Sequence, residues 1–278
     1  MFGWVLVALL AAAQPQPPHS DPVPPSAPQP IVIGETWRLQ SQALGAERVI
    51  NVWTPPSYRE GDRRYPVIYL IDGGLAQDFH HISGLAQLGA IAWQTQEMIV
   101  VGVETIDRRR ELAFPVESMP ALRTLYPTAG ESALFRRFLV EEVKPFVEAR
   151  YRSSGEDALL GESLAGLFIV ETFLKAPTTF DTYIAMDPST WWDDGRLTHE
   201  AAGLLARMPA GQRRLWLSVG SETLAASTHT DRLLAALRAA PADRVTLRYE
   251  PRPNLAHATI YHPTAWEALT AYYPRPPE

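Results

Sequence analysis

Leu159-Leu160-Gly161-Glu162-Ser163-Leu164-Ala165-Gly166 is the stretch on which the fold of this chain turns. A short apolar run, Ala158 to Leu160, leads into a serine flanked by small residues. A helix-compatible run, Leu167-Phe168-Ile169-Val170 and then Phe173-Leu174, leads out of it. Strand, sharp turn and helix in that order form a nucleophile elbow, which lifts a serine hydroxyl above a sheet at a helix N-terminus. The turn is tight and the helix crosses close to its neighbours, so Gly161, Ala165 and Gly166 supply the room. The usual pattern is Gly-x-Ser-x-Gly; Ala165 stands where the second glycine would be.

Outward from the elbow, apolar runs alternate with helix-like segments. Thr36 to Ser41 and Arg48 to Trp53 alternate polar with apolar residues and predict an antiparallel hairpin turning near Gly45. Pro66 to Ile71 and Met98 to Val103 are continuous apolar runs, as expected of strands covered on both faces. Tyr183 to Met186, Leu215 to Val219 and Val245 to Tyr249 extend the series. Helices are expected at Leu85 to Trp93, Glu131 to Arg150, Asp231 to Ala240 and Thr264 to Tyr272. In the second of these, Leu134, Phe138, Leu139 and Val147 form the buried face and Pro145 introduces a kink. The alternation predicts an α/β fold with a mostly parallel central sheet and helices on both faces. Sites in such sheets lie at the carboxyl ends of the strands, where Asp72-Gly73-Gly74, Ser163, Asp187, Glu222 and His257 all fall.

Composition narrows the function classes. The chain has 278 residues, 46% hydrophobic and 20% charged, enough for one large core. It has no cysteine, so disulfides, thiolate metal sites and a cysteine nucleophile are excluded. The net charge is −6, and basic residues are scattered apart from Arg108-Arg109-Arg110, which argues against a nucleic-acid groove. Residues 1–13 read as an export signal: an apolar run from Phe2 ending in Ala11-Ala12-Ala13, shorter than the roughly 20 residues a bilayer span takes. Residues 14–30 carry eight prolines and read as an extended linker, leaving 31–278 as the folded domain. The expectation is an exported protein, periplasmic or secreted, with no stable membrane insertion of its mature chain.

A serine hydroxyl needs a base to remove its proton, and histidine is suited to that at neutral pH. His257 and His262 both follow the last expected strand; His257, in a loop-like stretch, is preferred over His262 ahead of Pro263. The carboxylate that orients the imidazole is expected at Glu222, after the strand before last, with Asp187 and Asp231 as rivals. Backbone N–H groups of Leu164 and of the Gly74/Leu75 loop are the expected oxyanion donors. Trp191 and Trp192 are read either as stacking partners for a flat substrate group or as core. Arg108, in the triple-arginine run, is the candidate to attract an anionic substrate.

Several segments together resemble the Putative esterase family of α/β-hydrolases, which includes esterase D-type and siderophore-hydrolysing esterases. They are Tyr65 to Gly73, Phe138-Leu139 to Tyr151-Arg152, the Gly-Glu-Ser-Leu-Ala-Gly elbow, Asp187 to Asp193, and His257 ahead of a C-terminal helix. The double tryptophan is similar to that of periplasmic trilactone-siderophore esterases. The resemblance implies an α/β-hydrolase fold and serine esterase chemistry on a small-molecule ester, without metal or organic cofactor. Ser163 and His257 match as nucleophile and base. A peptidase or acyltransferase on the same machinery, or a binding protein that kept the fold without catalysis, are the alternatives.

Overall fold

In the computed structural model, residues 27–226 and 228–276 are described. The expected export signal and most of the expected linker, residues 1–26, therefore lie outside the described residues. Residues 27–32 have no helix or strand and are exposed. The compact unit runs from Ile33 to Glu278.

Eight strands form one sheet: β1 (Glu35–Gln40), β2 (Glu47–Trp53), β3 (Tyr65–Ile71), β4 (Ile99–Val103), β5 (Ser153–Glu162), β6 (Thr182–Met186), β7 (Arg213–Gly220) and β8 (Val245–Arg252). Their order across the sheet is β1-β2-β4-β3-β5-β6-β7-β8. β2 runs antiparallel to both neighbours, and every other pairing is parallel. The β1–β2 hairpin turns through Gly45, whose φ of 64° suits a residue without a side chain.

The helices are α1 (Phe79–Ile91), α2 (Arg108–Leu112), α3 (Pro120–Leu125), α4 (Ser132–Phe138), α5 (Lys144–Arg150), α6 (Leu164–Lys175), α7 (Trp192–Arg207), α8 (Ser221–Ala225), α9 (Thr228–Ala239) and α10 (His257–Tyr272). Side chains alternate across the sheet, so β3 sends Val67, Tyr69 and Ile71 into one core and Ile68 and Leu70 into the other. The second core is closed by α1 and α10 through Phe79, Ile82, Tyr261, Ala265 and Leu269. The first is closed by α4 to α7 and α9, with Phe135, Phe168 and Leu233 among its residues. Burial on both faces explains why the parallel strands read as unbroken apolar runs.

The segment expected as one helix from Glu131 to Arg150 is α4 and α5 joined by a π-turn at Leu139–Val143. Pro145 has no N–H and its ring crowds the carbonyl four residues back, so the chain widens ahead of it. Phe138, Leu139 and Val147 are buried as expected, whereas Leu134 is exposed and Phe135 takes the inward position. The final helix starts earlier than expected, at His257, and takes Pro263 into its interior. α1 likewise starts at Phe79, six residues before the expected Leu85.

Candidate active site

β5 ends at Glu162 and α6 begins at Leu164, leaving Ser163 alone in the turn with φ 62° and ψ −117°. A left-handed φ on a non-glycine residue is strained, and the surroundings hold it in place. Ser163 N–H donates to Met186 O at 2.9 Å, and Ser189 N–H donates to Ser163 O at 3.1 Å. The small neighbours are required by contact. A Cβ on Gly161 would lie 2.6 Å from the Ala165 methyl, and one on Gly166 would lie 2.9 Å from Met186 O. Ala165, fully buried, thus uses the space that Gly161 leaves open.

His257, the first residue of α10, brings its imidazole to the elbow: Nε2 is 3.1 Å from Ser163 Oγ. On the other side of the ring, Nδ1 is 2.6 Å from Asp187 Oδ2. An ionised carboxylate can only accept, so Nδ1 carries the proton and Nε2 is left to accept from the serine hydroxyl. Asp187 follows β6 with a φ of 41° and is fully buried at its side chain. Gly220 N–H donates to its Oδ1 at 2.9 Å, and the Thr223 hydroxyl also bonds it. Burial pushes the Asp187 carboxyl up, but these bonds and the His257 ring outweigh it and hold it below the usual carboxylate range. Conversely, the Asp187 hydrogen bond raises the His257 imidazole above its ordinary value, against the opposing effect of burial.

Glu222 was expected beside the imidazole and is not there. It is in the first turn of α8, and its Oε2 accepts the backbone N–H of His257 at 2.8 Å. Glu222 therefore holds the start of α10, while Asp187 faces the ring. Asp231, the other rival, lies in α9 near Tyr249. The ring of His262 is turned to His81, with 3.0 Å between nitrogens.

The expected oxyanion donors fare differently. Leu164 N–H opens α6, where the first N–H groups have no acceptor within the helix. Gly74 N–H is committed to Gln77 Oε1 at 2.9 Å and is not free to bind an oxyanion in this arrangement. Leu75, half-exposed in the same loop, makes no backbone bond among the described residues.

The two tryptophans separate. Trp191 is 49% exposed and borders a cavity of about 340 Å³ with Ser163, His257, Pro188, Ala226 and His229. Trp192 is buried, donates its indole N–H to Phe114 O at 3.0 Å and stacks on Tyr126. Trp192 is core, the second of the two readings open for it, and does not reach the cavity as a stacking partner for substrate. Asp193, Asp194 and Gly195 follow with φ of 51°, 55° and 68°. Buried Asp193 accepts the N–H groups of Glu117, Ser118 and Met119, which fixes the turn that presents Trp191.

The arginine run is not a free cationic patch. Arg108 Nη2 pairs with Asp72 Oδ2 at 2.8 Å, Arg109 lies 4.3 Å over the Tyr126 ring, and Arg110 Nε pairs with Glu131 at 2.6 Å. Arg108 nonetheless borders a second cavity, of about 300 Å³, with Ser163, His257, Asp72, Asp78 and Glu162. Among the described residues no group of side chains has the makings of a metal centre. No described helix is long and apolar enough to cross a membrane.

Residues 41–264 match the family described as Putative esterase, most of the chain. The chain belongs to that family. Its curated relatives include the ferri-bacillibactin esterase BesA of Bacillus subtilis, 32% identical over 46% of this chain and 49% of BesA. Another is the siderophore triacetylfusarinine C esterase of Aspergillus fumigatus, 27% identical over 63% of this chain and 62% of that protein. The chain thus spans about half to three-fifths of the length of these relatives. Among solved structures, an IroE-like serine hydrolase from Shewanella oneidensis superposes with a TM-score of 0.76 at 23% identity, covering 86% of this chain and 80% of its own. The BES protein from Bacillus cereus gives 0.75 at 23% identity, over 88% and 97%. These two likenesses establish the α/β-hydrolase fold of this family member.

Proposed function

We propose that this chain is a serine esterase that hydrolyses carboxylic esters, of the siderophore type, through an acyl-enzyme intermediate. The observation that carries the reading is the hydrogen-bonded series Ser163 Oγ, His257 and Asp187, at 3.1 and 2.6 Å. The names of the family relatives, a ferri-bacillibactin esterase and a triacetylfusarinine C esterase, support the substrate type.

In the reaction, His257 Nε2 takes the Ser163 hydroxyl proton as Oγ bonds to the ester carbonyl carbon. Asp187 orients the ring and stabilises the imidazolium that forms. The carbonyl oxygen gains the negative charge, and Leu164 N–H, at the start of α6, with Leu75 N–H are the proposed donors to it. Each such donor is worth about 3 kcal/mol of barrier. Nε2 then returns the proton to the departing alkoxide, leaving Ser163 acylated. Water, deprotonated by the same nitrogen, releases the acid. Trp191 offers an indole face to an aromatic or flat part of the substrate in the first cavity.

Ser163→Ala should abolish turnover of a p-nitrophenyl ester and labelling by a fluorophosphonate, with the circular dichroism spectrum unchanged. Turnover that survives the substitution places the nucleophile elsewhere; an inert wild type toward both reagents supports a binding protein. Faster hydrolysis of a trilactone than of a short-chain ester supports the siderophore class. The apolar start of the chain supports export, periplasmic or secreted, and a secreted protein that keeps Met1 refutes cleavage.

A further inference from the structure

Ser163 and His257 border both cavities, so an ester held at the hydroxyl has one half on each side. The Trp191 side is mainly apolar. The other side is lined by Asp72, Gln77, Asp78, Arg108, Glu162 and the two reacting residues, and its charges do not balance. Arg108 brings the cation, and it is spent on Asp72, which also accepts from the Thr105 hydroxyl. Asp78, at the entrance to α1, caps no backbone N–H and has His81 Nδ1 3.7 Å away. Glu162, the last residue of β5, has an Oε1 that is buried and without a hydrogen-bond partner. A fourth carboxylate, Glu104, lies close to the Gly74 backbone. Behind them, Tyr261 is 8% exposed, its hydroxyl is buried without a partner, and it lies in the field of Asp78, Asp72 and Glu162. Carboxylates with too few cations beside them, next to an orphaned hydroxyl, describe a place that lacks positive charge.

We propose that this side of the active site is a subsite for an ammonium group carried by the alcohol half of the ester, with Glu162 and Asp78 as its specificity-determining residues. The inference rests on the esterase reading and narrows it: an alcohol half bearing negative charge is disfavoured, and a cationic one is selected. Asp187 and Glu222, the remaining carboxylates near the pair, are engaged by the His257 ring and backbone and do not reach for the ligand. Burial pushes the Glu162 carboxyl up to about 7; the facing His257 and, more weakly, Arg108 lower it, and Asp78 and Asp187 raise it. The selectivity therefore grows as pH rises from 6 to 8 and Glu162 loses its proton.

The test uses two phenylacetate esters of the same shape, one of choline and one of 3,3-dimethylbutanol. The choline charge is fixed, so a pH-dependent ratio of their kcat/KM values reports a group on the enzyme. We expect a ratio of about ten in favour of choline at pH 8 and low salt, falling toward one in high salt. The ratio should fall at pH 6, and it should lose its pH dependence in Glu162→Gln. Asp78→Asn, at a partly exposed position, should lower the ratio at every pH. Hydrolysis of the neutral ester with a ratio near one throughout overturns the subsite and leaves the esterase reading intact. Failure to hydrolyse either ester by an enzyme that still turns over a p-nitrophenyl ester also overturns the subsite, whereas inertness toward p-nitrophenyl esters and fluorophosphonate removes the esterase reading itself.

Discussion

Asp187 and Glu222 both touch His257, but one bonds the ring and the other the backbone, and this difference sets unequal consequences. Asp187→Asn presents an amide that no longer requires the Nδ1–H tautomer, and kcat should fall by about 10⁴. Glu222→Gln keeps an oxygen for the His257 N–H and should cost less than about tenfold, since neutral acceptors still bond N–H groups. Steady-state kinetics on one ester separates the two. The imidazole must be neutral to accept a proton, and its value lies above the ordinary 6.5 because of the Asp187 bond. The acid limb of kcat/KM should therefore have its midpoint above pH 6.5, and Asp187→Asn should move it down. The tryptophan pair divides likewise. Trp192→Ala should cost about 3–5 kcal/mol in denaturant unfolding, the usual toll of a truncated core aromatic. Trp191→Ala should leave stability within about 0.5 kcal/mol and raise KM for aromatic esters.

At the scale of elements, the elbow depends on how β5 and α6 share volume. Gly161→Ala drives a methyl into Ala165 and should destabilise the fold by about 1–3 kcal/mol. The paired change Gly161→Ala with Ala165→Gly should recover most of it, as a double-mutant cycle will measure. The elbow and the strands were legible in the sequence because both depend on local pattern: small residues at fixed spacing, and apolar runs of strand length. The ring's carboxylate partner was not, because spacing along the chain places Asp187 and Glu222 equally well at strand ends. Starting α10 at His257, straight after an extended Ala256, sets the imidazole against Asp187 at the end of β6. Trp191 and Trp192 were indistinguishable for a similar reason. The left-handed turn at Asp193 to Gly195 decides which indole faces out, and no propensity argument anticipates three consecutive residues in that region. Pro145 did signal a break, but the sequence offered no means to foresee that the break is a π-turn.

Across the whole molecule, the site carries a cost that depends on pH. Glu162 has a folded-state value of about 7 against an ordinary 4.5, so it favours the folded state only while protonated. Its contribution is most favourable below pH 4.5 and is lost as pH rises toward 7. Glu162→Gln should raise Tm at pH 8 and change it little at pH 5. The reverse trend in thermal unfolding would show the carboxyl to be well solvated. The arrangement of the sheet has a further consequence, for the order of events during biosynthesis. Ser163, the proposed nucleophile, precedes His257, its proposed base, by 94 residues, and the imidazole arrives only with α10, the last helix among the described residues. On the proposed esterase reading, a ribosome-tethered or C-terminally clipped polypeptide that already contains Ser163 but lacks His257 should be inert, so competence toward esters would switch on late in translation.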